Sequence, residues 1–92
     1  MSMLNDEQLY NWLLQQEAEG DDDRRFYSSY LLGHVSLAIA ETEEAPSQFK
    51  NQLYHCVEEA LGIDKLSEAD IIGIRELLKQ GADQASNQLS PA

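Results

Sequence analysis

Residues 24–44 contain no proline and carry apolar side chains on nearly every face of a helical period: Phe26, Tyr27, Tyr30, Leu31, Leu32, Val35, Leu37, Ala38 and Ile39. A helix that is greasy all round is one that other elements cover. This segment is therefore expected as a central helix, roughly 30 Å long at 1.5 Å per residue. Whatever else the chain forms must pack around it. With 92 residues in total, the chain is one domain, with room for a single modest core.

The remaining segments read as helices from their ends. Asn5 can cap a first helix over residues 6–19, with Gln8 in the capping-box position and Leu4 and Leu9 spaced as a hydrophobic staple. Leu9, Trp12 and Leu13 follow at helical spacing, and Gly20 ends the segment. Asp21, Asp22 and Asp23 then put negative charge at the amino end of the central helix, where the helix dipole favours it. Pro46 opens a third helix over 46–61 with Phe49, Leu53, Cys56, Val57 and Ala60 on one stripe, and Gly62 is its expected carboxyl cap. Ser67 caps a fourth over 68–86, whose core stripe is Ile71, Ile74 and Leu78. Ala69, Gly73, Gly81 and Ala85 form a second ridge of small residues that would let a neighbour approach closely. Residues 87–92 are expected to fray. No segment alternates like a strand and the connections are short, which predicts an all-α domain, a small antiparallel four-helix bundle.

Charge narrows the function classes. The chain has 17 acidic against 6 basic residues and a net charge of −11. Attraction to a phosphate backbone is disfavoured, so no direct nucleic-acid binding is expected, and six scattered cations make no membrane patch. The amino terminus has no basic leader before an apolar run, and the longest apolar stretch is far short of a membrane span. Cys56 is the only cysteine, so no internal disulfide forms. A cytoplasmic location is expected.

Motifs for chemistry are largely missing. The glycines fit neither a phosphate loop nor a dinucleotide fingerprint, no serine sits in a nucleophile elbow, and no paired Glu-x-x-His supplies a di-metal site. No enzymatic activity, cofactor or metal is expected. Three weaker constellations remain. His34, with Tyr30 one turn before it and Gly33 beside it, could be a general base or pH switch, though a histidine hydrogen-bonded across the bundle is the plainer reading. His55 and Glu59 share a helical face and could give zinc two ligands, beside a Cys56 that behaves as a small hydrophobe. The third is the acidity itself. Asp6, Glu7, Glu17, Glu19, Asp21, Asp22 and Asp23 put seven negative charges and no cation in residues 1–23, and Glu41, Glu43 and Glu44 form a second cluster. The triple aspartate lacks the glycine and terminal glutamate of a calcium loop. Its functional reading is a docking face for a basic partner, formed by Asp21, Asp22, Asp23, Glu17 and Glu19; its bland reading is a solvated surface.

The stretch Phe26-x-Ser28-x-Tyr30-Leu31-x-Gly33-His34, continuing through Leu37-Ala38-Ile39-Ala40-Glu41-x-Glu43, resembles the signature segment of the YfcL-like proteins. Leu66-Ser67-x-x-Asp70 and Gln84-Ala85-Ser86 fit the later part of that pattern, so the likeness spans roughly residues 22–86 and the first helix matches only in kind. The resemblance implies a small helical gammaproteobacterial protein without known enzymatic activity, and it supplies no catalytic or binding residues. It singles out Gly33 and His34 for mutation; the glycine is expected to make room for a packed neighbour.

The function expected from these readings is a non-enzymatic protein-interaction or accessory module. Tyr10, Trp12 and Leu14 widen the apolar surface of the first helix into a candidate interface, aromatic residues being enriched at such surfaces. The partner is an unidentified protein, basic by charge, and a homodimer is a further option. The alternative is a small metal- or pH-sensing regulator centred on His34 or His55.

Overall fold

The computed structural model describes residues 4–86, which form four α-helices and one short 3₁₀ turn. They are α1 (Asp6–Glu19), α2 (Asp22–Glu41), the 3₁₀ turn Pro46–Gln48, α3 (Phe49–Ile63) and α4 (Glu68–Ser86). No strand occurs among the described residues, so the domain is all-α. The tail from residue 87 lies outside the described residues.

Helix α2 packs against each of the other three, α1 and α4 also pack on one another, and α3 lies chiefly on α2. Its inner side supplies Leu31, Val35 and Ala38, all fully buried. They meet Leu9 and Leu13 from α1, Leu53 and Val57 from α3, and Ile74 and Leu78 from α4 in one core. Phe49 closes it as the largest fully buried side chain. Each such burial stabilises the fold by about 1.5–3 kcal/mol before chain entropy is counted. Ile71, expected in the core stripe of α4, is only partly buried against it.

The helix starts follow local chemistry. The Asn5 side chain accepts the Gln8 N–H at 2.9 Å, and Leu4 is buried beneath the first turn. The Ser67 hydroxyl accepts the Asp70 N–H at 3.1 Å. Helix α2 begins two residues earlier than expected because Asp21 is itself the cap: its carboxylate accepts the Arg24 N–H at 2.9 Å, drawing Asp22 and Asp23 into the first turn.

Three ends differ from expectation. Helix α2 stops at Glu41 rather than Glu44: Thr42 is its C-cap, with backbone that leaves the helical region and an N–H shared between the Ala38 and Ile39 carbonyls, while its hydroxyl donates to the Ala38 carbonyl at 2.7 Å. Pro46 begins the 3₁₀ turn, and regular α-helix starts only at Phe49. Gly62 does not cap α3; it lies inside the helix, which runs to Ile63 and ends where the Asp64 N–H bonds the Ala60 carbonyl at 2.8 Å. No glycine among the described residues has a positive φ.

The small-residue ridge of α4 is filled from two sides. A Cβ at Gly81 would stand 2.7 Å from Leu9 Cδ1 and 3.0 Å from the Trp12 ring, and one at Gly73 would fall inside the Tyr27 ring. These glycines let α1 and α2 seat their side chains directly on the backbone of α4. At the corner between α1 and α2, a Cβ on Gly20 would meet the Gln16 carbonyl at 2.7 Å, so the tight connection needs glycine there.

Candidate functional site

Helix α2 carries most of the chemistry-bearing side chains along one edge. Phe26, Tyr30 and His34 stand one turn apart; Phe26 meets Tyr30 edge-on at 6.3 Å, and the Tyr30 and His34 rings are tilted at 5.0 Å. The Tyr30 hydroxyl donates to Asp64 at the end of α3 at 2.7 Å. Burial and that carboxylate together push the phenol up to about 12. Tyr27, one residue round the helix, donates to Asp70 of α4 at 3.2 Å, and burial followed by the Asp70 bond raises its pKa as well. The two tyrosines thus pin α2 to α3 and to α4 through their polar tips.

His34 departs from its expected role. It is half-buried rather than sealed in the core, its Nδ1 atom is buried, and no hydrogen-bond partner reaches that atom across the bundle. Gly33 also departs: it is exposed, and an added Cβ would meet nothing within 4 Å, so among the described residues it makes room for no neighbour.

The acidic corner is assembled where α1 ends and α2 begins. Asp21, Asp22, Asp23 and Glu19 are exposed; Glu17 is half-buried and accepts the Ser29 hydroxyl. Two cations lie among them. Arg25 approaches Asp22 at 3.9 Å within α2. Arg24 instead turns inward, donating to Gln16 at 2.7 Å and to Gln80 at 3.1 Å, so its guanidinium ties α1, α2 and α4 together and is held on amide oxygens. Two open clefts flank the corner. One, of about 580 Å³, is lined by Glu17, Ala18, Asp22, Arg25, Phe26 and Ser29. The other, of about 260 Å³ between α2 and α4, includes Asp21, Asp23, Tyr27 and Glu76.

The other expected groupings are placed as follows. Tyr10 and Leu14 lie one turn apart on α1, Tyr10 bordering a shallow recess with Ile39 of α2 and Leu14 40% exposed, whereas Trp12 packs on Gly81 of α4. His55 and Glu59 sit 3.8 Å apart on the surface. Among the described residues no group of three or more His, Cys, Asp or Glu side chains is placed to hold a metal ion. Cys56 is half-buried with its Sγ 3.4 Å from the Leu53 carbonyl, and burial, followed by the nearby Glu41, raises the thiol pKa. No helix among the described residues is long and apolar enough to cross a membrane.

Two features were missed in the residue pattern. The Arg24 hub joins positions far apart in the chain. The exposure of Phe26 (43%) and Leu37 (49%) was hidden by the apolar character of the whole segment. The lack of any charged side chain in residues 26–40 was the available signal.

The model of the YfcL protein family matches residues 5–83, which takes in all of α1 as well as the segment around Gly33 and His34. The chain belongs to the YfcL family. The likeness therefore extends to the first helix, further than the resemblance read from residues 22–86. One YfcL relative, the Uncharacterized protein YfcL of Escherichia coli (strain K12), is 35% identical over 71 residues, covering 73% of this chain and 77% of the relative. No solved structure matches the chain. The family name carries no activity, so any function has to be argued from the surface of this molecule.

Proposed function

We propose that this YfcL-family chain is a non-enzymatic interaction module that receives a basic protein partner at the acidic corner between α1 and α2. The observation that carries the reading is the segregation of charge. Seven acids and no cation lie in residues 1–23, while the Arg24 guanidinium that follows is held on the amide oxygens of Gln16 and Gln80, and Arg25 reaches Asp22 alone. Carboxylates in excess over the two arginines set up a local negative field, which accelerates encounter with a positively charged surface and selects against acidic ones. The two flanking clefts, with Phe26 in one and Tyr27 in the other, supply apolar contact beside that field.

The test is affinity capture from a bacterial lysate, comparing the native chain with the triple variant Asp21→Asn, Asp22→Asn, Asp23→Asn. Asparagine caps helices as well as aspartate, so α2 keeps its start. A discrete basic protein should be retained at low salt and fall by about tenfold or more both in the variant and at high salt. Equal retention by both chains would reduce the acidity to a solubility device.

A further inference from the structure

The outer face of α2 is not used by the core, and the acidic corner reaches only its amino end, where Phe26 and Ser29 line the larger cleft and the Ser29 hydroxyl donates to Glu17. Residues 26–40 hold no Asp, Glu, Lys or Arg, in a chain where charged residues make up 25%. One side of this length is accounted for, because Ser28, Leu31, Leu32, Val35 and Ala38 are buried. The opposite side stands in solvent: Phe26, Ser29, Gly33, Ser36, Leu37 and Ala40 are all exposed. A solvated helix face ordinarily carries charged and polar side chains. Positions 26, 29, 33, 36 and 40 recur instead at alternating steps of three and four, the spacing of a seam along which a second helix lies. At the middle of the seam is Gly33, with open space beyond its backbone.

The strip is also complementary to itself. Phe26 and Ala40 are equally far from Gly33, and so are Ser29 and Leu37, and Arg25 and Glu41. Laid antiparallel with Gly33 against Gly33, two copies put each large side chain against a small one. Leu37 then points at the cleft that Glu17, Ala18, Phe26 and Ser29 line. Arg25 meets Glu41, whose carboxylate Gln52 already orients at 2.9 Å. Parallel packing would set Phe26 on Phe26 and Arg25 on Arg25, so both shape and charge select the antiparallel pair. We infer that a second copy of the chain occupies this face, the two α2 helices crossing on a two-fold axis at Gly33. Such an isologous contact closes on itself as a dimer. The dimer takes the cleft that holds Phe26 and leaves the basic partner proposed above the one between α2 and α4, where Asp21 and Asp23 lie; the two associations are told apart by their opposite response to salt.

The contact is small. A strip of about 21 Å buries roughly half of the ~800 Å² per partner found in standard interfaces, which places the dimer among the weak ones. Each copy is strongly negative, and beyond the Arg25–Glu41 pair Asp22 comes towards Glu44. Salt therefore strengthens the association by screening, the opposite of its effect on a basic partner.

Sedimentation velocity across a concentration series, at low and high salt, gives the first reading: a shift from one to two chains, at lower concentration in high salt. Gly33→Arg puts a charge on the axis and should weaken the association by about an order of magnitude while leaving the helical circular dichroism intact. Cross-linking reads the geometry in a Cys56→Ser background. Gly33→Cys should oxidise to a self-linked dimer about an order of magnitude faster than a control Ser47→Cys, because only residues at the axis meet their own copies at disulfide distance. A mixture of Ser29→Cys and Leu37→Cys chains should link to one another in preference to themselves. A chain that stays single at every concentration and salt, or a Gly33→Cys rate equal to the control, overturns the dimer. Self-linking of Leu37→Cys ahead of the mixed pair overturns its antiparallel register.

Discussion

Two strips of small residues in this protein look alike on paper and behave oppositely. On α4, Gly73 and Gly81 are covered: Tyr27 of α2 lies on the first, and Leu9 and Trp12 of α1 on the second. On the outer face of α2, none of the described residues lies over Gly33. A small residue in a helix is a statement about how near a neighbour could come; whether one arrives is decided by the other elements. On α4 the large partners come from the same chain. On α2 the residues large enough to fill the gap, Phe26 and Leu37, sit on the same strip and cannot reach back to it.

The sharpest way to break this contrast is to add bulk on both strips. Gly81→Val drives its methyl groups into Leu9 and Trp12 and should cost about 3 kcal/mol through overpacking. Urea denaturation monitored by circular dichroism checks it, and an unmoved midpoint would mean that α4 does not need a glycine there. At Gly33 the sign reverses. Gly33→Ala relieves the helix of its most flexible residue without touching a neighbour, so a dilute sample should gain about 0.5–1 kcal/mol in the same experiment. If Gly33→Ala destabilises instead, something within the chain covers that face.

A smaller effect sharpens the boundary between the two strips, where Tyr30 bridges α2 to Asp64. Its folded pKa, about 12, lies above the ordinary tyrosine value of about 10. The neutral phenol is therefore the form that folding favours. Tyr30 contributes its full stability below about pH 10 and loses it as the pH rises towards 12. Ultraviolet titration should show late-ionising tyrosines, Tyr30 among them at about pH 12. Tyr30→Phe should remove that transition and flatten the alkaline end of the stability profile.

Much of the fold was legible because helix starts are local events. Asn5 and Ser67 each satisfy a backbone N–H three residues on, and their spacing can be read off the chain. The stops were less legible. Thr42, where α2 ends, resembles any other threonine in sequence, and Gly62, which looks like a cap, is carried inside α3. The acidic corner could be counted from composition alone, but not the turning of Arg24 onto Gln16 and Gln80, since its partners lie on two other helices. Gly33 was misjudged for the same reason: the pattern marks the inner side of α2 through Leu31 and Val35, and says nothing of what the opposite side meets.

The charge-free length of α2 has an experimental consequence. After Arg25 the next basic residue is Lys50, so trypsin finds no site between them and releases residues 26–50 as a single peptide. Lysine-directed cross-linkers have no foothold on that stretch either. Beyond Arg25, the helix that touches all the others thus offers trypsin and lysine-directed reagents no site, and what binds there is better sought with cysteine, photochemical or hydrogen-exchange probes.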